Sequence, residues 1–354
     1  MNKFTITDNF VGGNIIVKEI TENSASVRIN YRDSAPWCYW AFKVCGAQGR
    51  TVTFEFSEDA VGYPGAAVSN DFKNWRWTHP NEYRYDAKDR QSFTYTFADD
   101  EDEVYFAHNV LYNPDDFRNV DFMPKSVLCI DSDGTPVPMA SMGEGENVIL
   151  MTARHHACEA PANYVLEGTL RELHNNLPAN CRVLAVPFVD MAGVVAGDQG
   201  KGRFPHDHNR DYIDQSLYTT VKAVKELIAK ENIKYVFDFH SPCHLSSGND
   251  STSLVNAYEH LRPDMLELSS LFAGEMTDEC FKFRDGRITW RDKPVEGTFS
   301  AYCGALEKVR FVATIENPYF GEPGNIMTQN NYIATGRAFG RAIRKFIEKR
   351  ERSD

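Results

Sequence analysis

Short apolar runs separated by polar turns occupy the first third of the chain. The runs are rich in aromatic and β-branched residues, and several of them alternate apolar with polar positions, as half-buried strands do. They cover residues 25–32, 37–44, 51–56, 92–97 and 104–112. This spacing predicts an all-β sandwich domain over residues 1–120.

The pattern changes after about residue 119. Runs such as ENVILMTAR, RVLAVPF, KYVFDFH and VRFVATIE now alternate with amphipathic stretches of helical period. Helices are predicted over residues 160–174, 215–230 and 331–350, and Pro161 stands near the first helical position, where its missing N–H costs nothing. The pattern predicts an α/β domain over residues 121–354, with a mixed central sheet flanked by helices.

Composition narrows the range of partners and locations. The chain has 354 residues, 42% of them hydrophobic and 25% charged, which is typical of a globular protein. Its net charge of −12 argues against nucleic acid and anionic membranes as partners. No run has the length of a signal peptide or membrane span, so a cytoplasmic location and mostly reduced cysteines are expected. The oligomeric state stays open.

Three of the apolar runs in the second part end in a group suited to metal or proton chemistry. His156 and Glu159 follow the first run, His240 ends the second and Glu316 ends the third. In open α/β sheets the carboxyl ends of the strands lie along one edge, where ligands bind. Two imidazoles and a carboxylate leave one tetrahedral zinc position for water, and a second carboxylate can take its proton. A strand-end ion pair or helix cap is the alternative for His156 and Glu159.

The segment RFPHDHNRDY, residues 203–212, concentrates cationic and amide donors in a predicted loop. Adjacent Asn209 and Arg210 are suited to binding a substrate carboxylate, because a guanidinium matches two carboxylate oxygens. Asp207 is suited to accept a hydrogen bond from the free nitrogen of a ligating histidine. A solvated polar loop is the alternative interpretation.

Together these segments resemble the zinc metallocarboxypeptidases of the carboxypeptidase A type, in particular the cytosolic carboxypeptidase-like branch. TARHHACEAPANYVLEGTL is similar to the zinc-binding segment, DHNRD to the Asp-x-Asn-Arg loop, FDFHSP to the second histidine strand and ATIENP to the catalytic glutamate strand. NWRW and VYFAHNVLYNPDDF resemble the β-sandwich that precedes the catalytic domain in that branch. The resemblance is nearly full length.

The resemblance implies an enzyme that hydrolyses the C-terminal peptide bond of a peptide or protein with a zinc-bound water and a glutamate base. On the matching positions, His156, Glu159 and His240 would bind Zn²⁺. Glu316 would be the general base and then the proton donor.

Further roles follow from the same resemblance. Asn209 and Arg210 would hold the C-terminal carboxylate of the substrate, and Asp207 would orient the first histidine ligand. Arg203 would correspond to the arginine that stabilises the developing oxyanion. Tyr302 is the nearest candidate for the substrate-side tyrosine that the family carries between its second histidine and its glutamate.

The sequence departs from the branch between the ligands, where Ala157 and Cys158 replace Pro-Gly, and in residues 189–198, which lack an Asn-Pro-Asp-Gly turn. Because these changes affect the shape of the predicted cleft, the sequence does not define which C-terminal residue of a substrate would be cleaved off. A zinc amidohydrolase of the aspartoacylase-like type, acting on N-acyl amino acids, shares much of the pattern but adds a C-terminal β lobe, whereas only 38 residues (317–354) follow Glu316 here. A non-catalytic peptide-binding module is the third hypothesis, and retention of Glu316 disfavours it.

Overall fold

The computed structural model describes residues 4–80, 90–241, 251–280, 283–322 and 325–352. Nine strands precede residue 108 in these ranges. They are β1 (Thr5–Thr7), β2 (Ile16–Ile20), β3 (Ser24–Arg28), β4 (Ala41–Cys45), β5 (Thr51–Phe56), β6 (Ala67–Ser69), β7 (Arg76–Trp77), β8 (Ser92–Thr96) and β9 (Glu103–Ala107). They form two sheets with the orders β1-β4-β9-β6-β7 and β2-β3-β5-β8.

These two sheets pack face to face through a core of aromatic side chains. Phe42 and Phe106 project from the first sheet, and Phe54 projects from the second. The ring centroid of Phe54 lies 5.2 Å from that of Phe42 and 5.3 Å from that of Phe106. Each aromatic ring buries a large apolar area, which stabilises the pairing of the sheets. The predicted sandwich is therefore confirmed, and we call it the N-terminal sandwich.

The second part of the chain is built on one eight-stranded sheet of order β10-β11-β13-β12-β14-β17-β15-β16. Its strands are β10 (Lys125–Ile130), β11 (Pro136–Met142), β12 (Asn147–Ala153), β13 (Cys181–Val186), β14 (Ile233–His240), β15 (Ser253–Asn256), β16 (Ile288–Trp290) and β17 (Phe311–Glu316). A small hairpin joins β18 (Gly321–Glu322) to β19 (Asn325–Ile326). The predicted boundary near residue 120 falls between the N-terminal sandwich and this sheet.

The central strands β13, β12, β14 and β17 are parallel, while β10, β11 and β15 join the sheet by antiparallel pairing. All seven residues of β12 are buried, as expected of a parallel strand that is covered on both faces. The predicted mixed sheet is confirmed. Strand β11 was not predicted. It contains Pro136 and Pro138, and proline is unusual in a strand that pairs on both sides.

Helices connect and cover the strands of the large sheet. They are α1 (Pro114–Arg118), α2 (Pro161–Asn175), α3 (Met191–Ala196), α4 (Thr219–Lys230), α5 (Arg262–Gly274), α6 (Phe299–Gly304) and α7 (Gln329–Glu351). Helices α2 and α7 approach closely at Gly168 and Gly336, where a Cβ on either glycine would come within 3.0 Å of the Cα of the other.

Two findings bear on the expected environment of the protein. Within the described ranges, no helix combines the length and apolar character needed to cross a membrane. Cys38 is disulfide-bonded, whereas the six other cysteines of those ranges are free. The expectation of mostly reduced thiols therefore agrees with the structure at every described cysteine except Cys38.

Candidate metal centre and active site

The parallel strands β12, β14 and β17 end on the same edge of the sheet. His240 is the last residue of β14, and it stands directly opposite Glu316, the last residue of β17, in the hydrogen-bonded ladder. Ala153 ends β12 opposite Phe239, so the turn that carries His156 begins beside the same edge. The parallel register thus places groups far apart in sequence at one location.

His156, Glu159 and His240 form a buried cluster at this edge. The Nδ1 atoms of His156 and His240 lie 2.8 Å from Oε1 and Oε2 of Glu159, respectively. One potential ligand atom from each of the three residues lies within 4.8 Å of the others. The predicted set of two imidazoles and one carboxylate is therefore brought together by the fold.

Each histidine of the cluster has a second carboxylate behind its ring. His240 Nε2 lies 2.8 Å from Asp238 Oδ2, and His156 Nε2 lies 3.7 Å from Asp207 Oδ1. The second distance exceeds a hydrogen bond, and Asp207 Oδ1 is buried with no hydrogen-bond partner among the described residues. Metal-bound imidazoles usually have such a carboxylate behind them, so these side chains fit a zinc ion.

Opposite charges within the cluster set the pKa values of its side chains. Burial lowers the pKa of His240, but the Asp238 and Glu159 carboxylates outweigh it and hold the pKa well above its usual value. Burial raises the pKa of Glu159, but His156 and His240 outweigh it and hold the pKa well below the usual range. Because His240 faces a carboxylate at both nitrogens, a proton or a metal cation has to lie between Nδ1 and Glu159.

Glu316 differs from Glu159 in its electrostatic environment. Burial is the main cause that raises the pKa of Glu316, and the nearby Glu159 carboxylate raises it further, although His240 opposes the shift. A carboxylate that must accept and later return a proton works best when its pKa is raised toward the working pH. This environment is compatible with the predicted role of Glu316 as general base.

The cluster opens into a cleft of about 210 Å³. Its polar lining includes His156, Lys201, Asn209, Arg210, His240 and Glu316. The remaining walls come mainly from residues near β15 and from β17. Five residues that the sequence predicted for metal binding, proton transfer or carboxylate binding thus line one cavity, namely His156, His240, Glu316, Asn209 and Arg210.

Asn209 and Arg210 lie on a short 3₁₀ turn (His208–Arg210) at the side of this cleft. Asn209 Oδ1 accepts a hydrogen bond from the Phe299 backbone N–H at 2.9 Å, and its Nδ2 lies 3.4 Å from His240 Nε2. The Arg210 side chain is exposed and pairs with no carboxylate in the described part of the chain. Its guanidinium is therefore free to bind a substrate carboxylate.

The Arg203 guanidinium is paired with carboxylates of the protein itself. Its guanidinium contacts the carboxylates of Asp33, Asp190 and Asp198 at distances of 3.1, 3.2 and 2.8 Å. The residue is only 8% exposed and does not line this cleft, although it borders a neighbouring pocket together with His156 and Lys201. Its three carboxylate partners indicate a structural function, and the oxyanion role that the resemblance implied stays a prediction.

We expect Arg203→Met to destabilise the fold by about 3–5 kcal/mol, because it would leave buried carboxylates without a counter-charge. Chemical denaturation followed by circular dichroism measures this loss. Arg118→Met is the matched control, since Arg118 is 71% exposed in its side chain and should cost less than about 0.5 kcal/mol. Equal stability of the two variants would contradict a structural function for Arg203.

Tyr302 is also outside the cleft. It lies on α6, with its ring centroid 5.8 Å from that of Tyr212, and the Lys225 ammonium lies 5.6 Å from its ring centroid. Tyr258 lines the cleft instead, and its hydroxyl donates a hydrogen bond to the Ala301 carbonyl at 3.1 Å. The structure therefore does not support Tyr302 as a substrate-binding residue.

Sequence reasoning missed Asp238, which accepts hydrogen bonds from Thr152 Oγ1 at 2.8 Å and is 3.0 Å from His155 Nδ1. Asp238, His155 and His240 form a second group of potential metal ligands, and its side chains are all buried. We interpret Asp238 as the carboxylate that supports His240. Its position two residues before His240 on one strand face was the available signal.

Arg154 was missed as well. It follows β12 with φ +59°, a conformation that non-glycine residues rarely adopt and that is common near functional sites. Its guanidinium is buried and donates to the carbonyls of Ala157 and Tyr112, at 2.8 and 3.1 Å, and to Asn163 Oδ1 at 3.1 Å. Arg154 thus holds the turn between the two predicted ligands, and no local sequence signal marks it.

Comparison with known proteins assigns the fold. No family model matches the chain. An uncharacterized protein from Zymomonas mobilis is 26% identical over 259 residues, which cover 65% of this chain and 66% of that protein. A metallo-carboxypeptidase from Burkholderia cenocepacia superposes with a TM-score of 0.78 and 16% identity, covering 98% of this chain and 100% of that chain. The chain has the metallo-carboxypeptidase fold.

A second solved metallo-carboxypeptidase, from Pseudomonas aeruginosa in complex with (2-guanidinoethylmercapto)succinic acid, agrees with this assignment. It superposes with a TM-score of 0.77 and 18% identity over 98% of this chain and 99% of that chain. Both alignments include the N-terminal sandwich, because they cover nearly the whole chain. The buried His156, Glu159 and His240 cluster is a group of side chains that could hold a metal ion.

Proposed function

We propose that this protein is a zinc-dependent carboxypeptidase that hydrolyses the C-terminal peptide bond of a peptide or protein. One observation carries the proposal: a buried cluster of two histidines and a glutamate opens into the same cleft as a second glutamate and an exposed arginine that has no carboxylate partner among the described residues. A metal donor set, a proton acceptor and a carboxylate-binding group are what exopeptidase chemistry requires. Assignment to the cytosolic carboxypeptidase-like branch and a cytoplasmic location are part of the proposal.

His156, Glu159 and His240 would hold the zinc ion, with Asp207 and Asp238 orienting the two imidazoles from behind. When bound, zinc would polarise the scissile carbonyl and make water more acidic. Burial of the three ligands keeps bulk water away from the reacting groups and strengthens their electrostatic interactions.

Glu316 would carry the proton transfers. Its carboxylate removes a proton from water while the water oxygen forms a bond to the scissile carbonyl carbon. The carbon–nitrogen bond then breaks, and Glu316 returns the proton to the departing amine. The products are one free amino acid, whose amine has received the first proton of water, and a shortened chain whose new carboxyl group keeps the second proton until it ionises to solvent.

Arg210 and Asn209 would restrict the reaction to chain ends. A free C-terminal carboxylate bears a charge that an internal peptide bond lacks, and the Arg210 guanidinium has no internal carboxylate partner within the described ranges to compete for it. Binding this carboxylate beside the metal cluster would place the last peptide bond, and no other, next to Glu316.

The function is tested by incubating the zinc-loaded protein with peptides that carry either a free or an amidated C-terminus, and reading the products by mass. Stepwise loss of residues from free ends alone is the expected result. Cleavage restricted to N-acyl amino acids would replace the proposal with an amidohydrolase. Absence of turnover with zinc bound would replace it with a peptide-binding module.

We expect Arg210→Met to raise KM for peptides with a free C-terminus by roughly 10- to 100-fold, because a charged hydrogen bond to the substrate is lost. The kcat should change much less, since Glu316 and the metal ligands are untouched. Steady-state kinetics on one peptide series measures both constants, with Arg118→Met as the control. An unchanged KM would show that Arg210 does not bind the carboxylate.

A further inference from the structure

Lys201 brings a positive charge to the metal cluster that the sequence did not suggest. Its Nζ lies 3.4 Å from Glu159 Oε1, and the residue lines the cleft together with His156 and Glu316. The side chain is 30% exposed, so its ammonium is partly open to the cleft.

The backbone around Lys201 is shaped to bring it to this position. Gly200 and Gly202 flank it, with φ values of +69° and +63° that other residues rarely adopt. A Cβ on Gly200 would lie 2.2 Å from the Ala157 backbone nitrogen, so only glycine allows this loop to pack against the turn between His156 and Glu159. The loop is consequently in direct contact with the metal-binding turn.

The N-terminal sandwich contacts the opposite side of this loop. The Lys201 ammonium lies 4.8 Å from the ring centroid of Trp37, within the range of a cation–π interaction. The Ala35 N–H donates to the Gly202 carbonyl at 2.9 Å, one residue beyond the lysine. On the preceding side, Gln199 exchanges hydrogen bonds of 2.8 and 2.7 Å with the backbone of Tyr39.

We propose that Lys201 is a catalytic residue that stabilises the negative charge developing on the scissile carbonyl oxygen, and that Trp37 of the N-terminal sandwich is its positioning residue. This inference rests on the proposed carboxypeptidase function. It assigns the stabilising charge to Lys201 in preference to Arg203, because the Arg203 guanidinium is already paired with three carboxylates and does not line the cleft that holds Glu316. Arg210 and Arg291 also line the cleft, but of the described lysines and arginines only Lys201 forms an ion pair with Glu159.

The first test compares Lys201→Met with Lys201→Arg in the zinc-loaded full chain. The methionine variant should lose about 10²- to 10³-fold in kcat with little change in KM, as expected when one group that stabilises an oxyanion is removed. The arginine variant should recover part of this loss. Lys43→Met is the matched control, because Lys43 also pairs with a glutamate, at 2.9 Å, and lies 5.6 Å from a tyrosine ring centroid, but in the sandwich.

A binding measurement separates this role from simple neutralisation of Glu159. A phosphinic peptide that mimics the tetrahedral species should bind Lys201→Met roughly 10²-fold more weakly than the wild type, whereas a free amino acid product should bind both proteins within about 3-fold. Zinc affinity, measured by chelator competition, should be similar in both. A changed zinc affinity with an unchanged kcat at saturating zinc would overturn the proposal.

The role of Trp37 is tested by a double-mutant cycle. Trp37→Leu should lower kcat by about 3- to 30-fold, as expected from loss of a cation–π interaction, and Trp37→Phe should lower it less. In the Lys201→Met background, Trp37→Leu should have no further effect on kcat, because its influence passes through the lysine. Equal effects of Trp37→Leu in both backgrounds would show that Trp37 is not the positioning residue.

The outcomes separate this inference from the proposed function. If the wild type does not release residues from free C-termini, the carboxypeptidase function fails and the role of Lys201 fails with it. If the wild type releases residues and Lys201→Met keeps its kcat, only the inference about Lys201 is overturned.

Discussion

Glu316→Gln should lower kcat by about 10²- to 10⁴-fold, because the amide cannot take a proton from water. The substitution keeps the size of the side chain and removes only its basicity. Zinc content should remain unchanged, since Glu316 is not part of the His156, Glu159 and His240 cluster. Steady-state kinetics and metal analysis by mass spectrometry on the same preparation measure both quantities.

A second glutamate near the start of β17 provides the control for this variant. Glu307 is exposed and precedes the strand that ends in Glu316, so Glu307→Gln should leave kcat within about 2-fold of the wild type. Full activity of Glu316→Gln would show that another group accepts the proton. Loss of zinc from Glu316→Gln would instead place Glu316 among the ligands.

His240→Ala should remove both zinc and activity. Loss of a residue that merely supports a ligand typically weakens metal binding by about 10- to 100-fold, and removal of a ligand itself should cost at least as much. We therefore expect zinc affinity to fall by more than about 10²-fold and turnover to fall below detection at submicromolar free zinc. Chelator competition measures the affinity, and peptide hydrolysis measures the turnover.

His174→Ala is the matched control, because His174 is exposed near the end of α2, away from the cluster. It should retain wild-type zinc affinity and activity. Retention of tight zinc binding by His240→Ala would mean that the metal is held elsewhere, and the proposed centre would be wrong. Adding excess zinc should restore some activity only if the remaining two ligands still hold the ion at the cleft.

The fold was largely accessible from the sequence because its elements have strong periodicity. The run at residues 51–56 is strand β5, and the predicted helices at 160–174 and 331–350 correspond to α2 and α7 within two residues at each end. The run at residues 104–112 was only half right, since β9 ends at Ala107 and the apolar residues after it are buried without being a strand. Apolar character reports burial, and it does not by itself report conformation.

The side chains that we propose as metal ligands could also be predicted from the sequence, since each lies at or just after the end of a strong apolar strand. Parallel strands bring such positions to one edge of the sheet whatever the loops between them do. No comparable rule predicts which side chains of the loop between α3 and α4 face the cleft. There the sequence reasoning favoured Arg203, whereas in the structure Arg203 pairs with carboxylates and Lys201 lines the cleft.

Strand and helix periodicity, the residue types at strand ends and the overall charge are local properties, and the sequence by itself determined them. Only the tertiary structure decided which cationic side chain faces the His156, Glu159 and His240 cluster, because side chains in a loop have no periodic direction. The N-terminal sandwich contributes Asp33, which pairs with Arg203, and Trp37, which contacts Lys201. Contacts within the second part of the chain complete this arrangement: Asp190 and Asp198 pair with Arg203, and Gly200 packs against Ala157. Such long-range contacts appear only once the chain has folded.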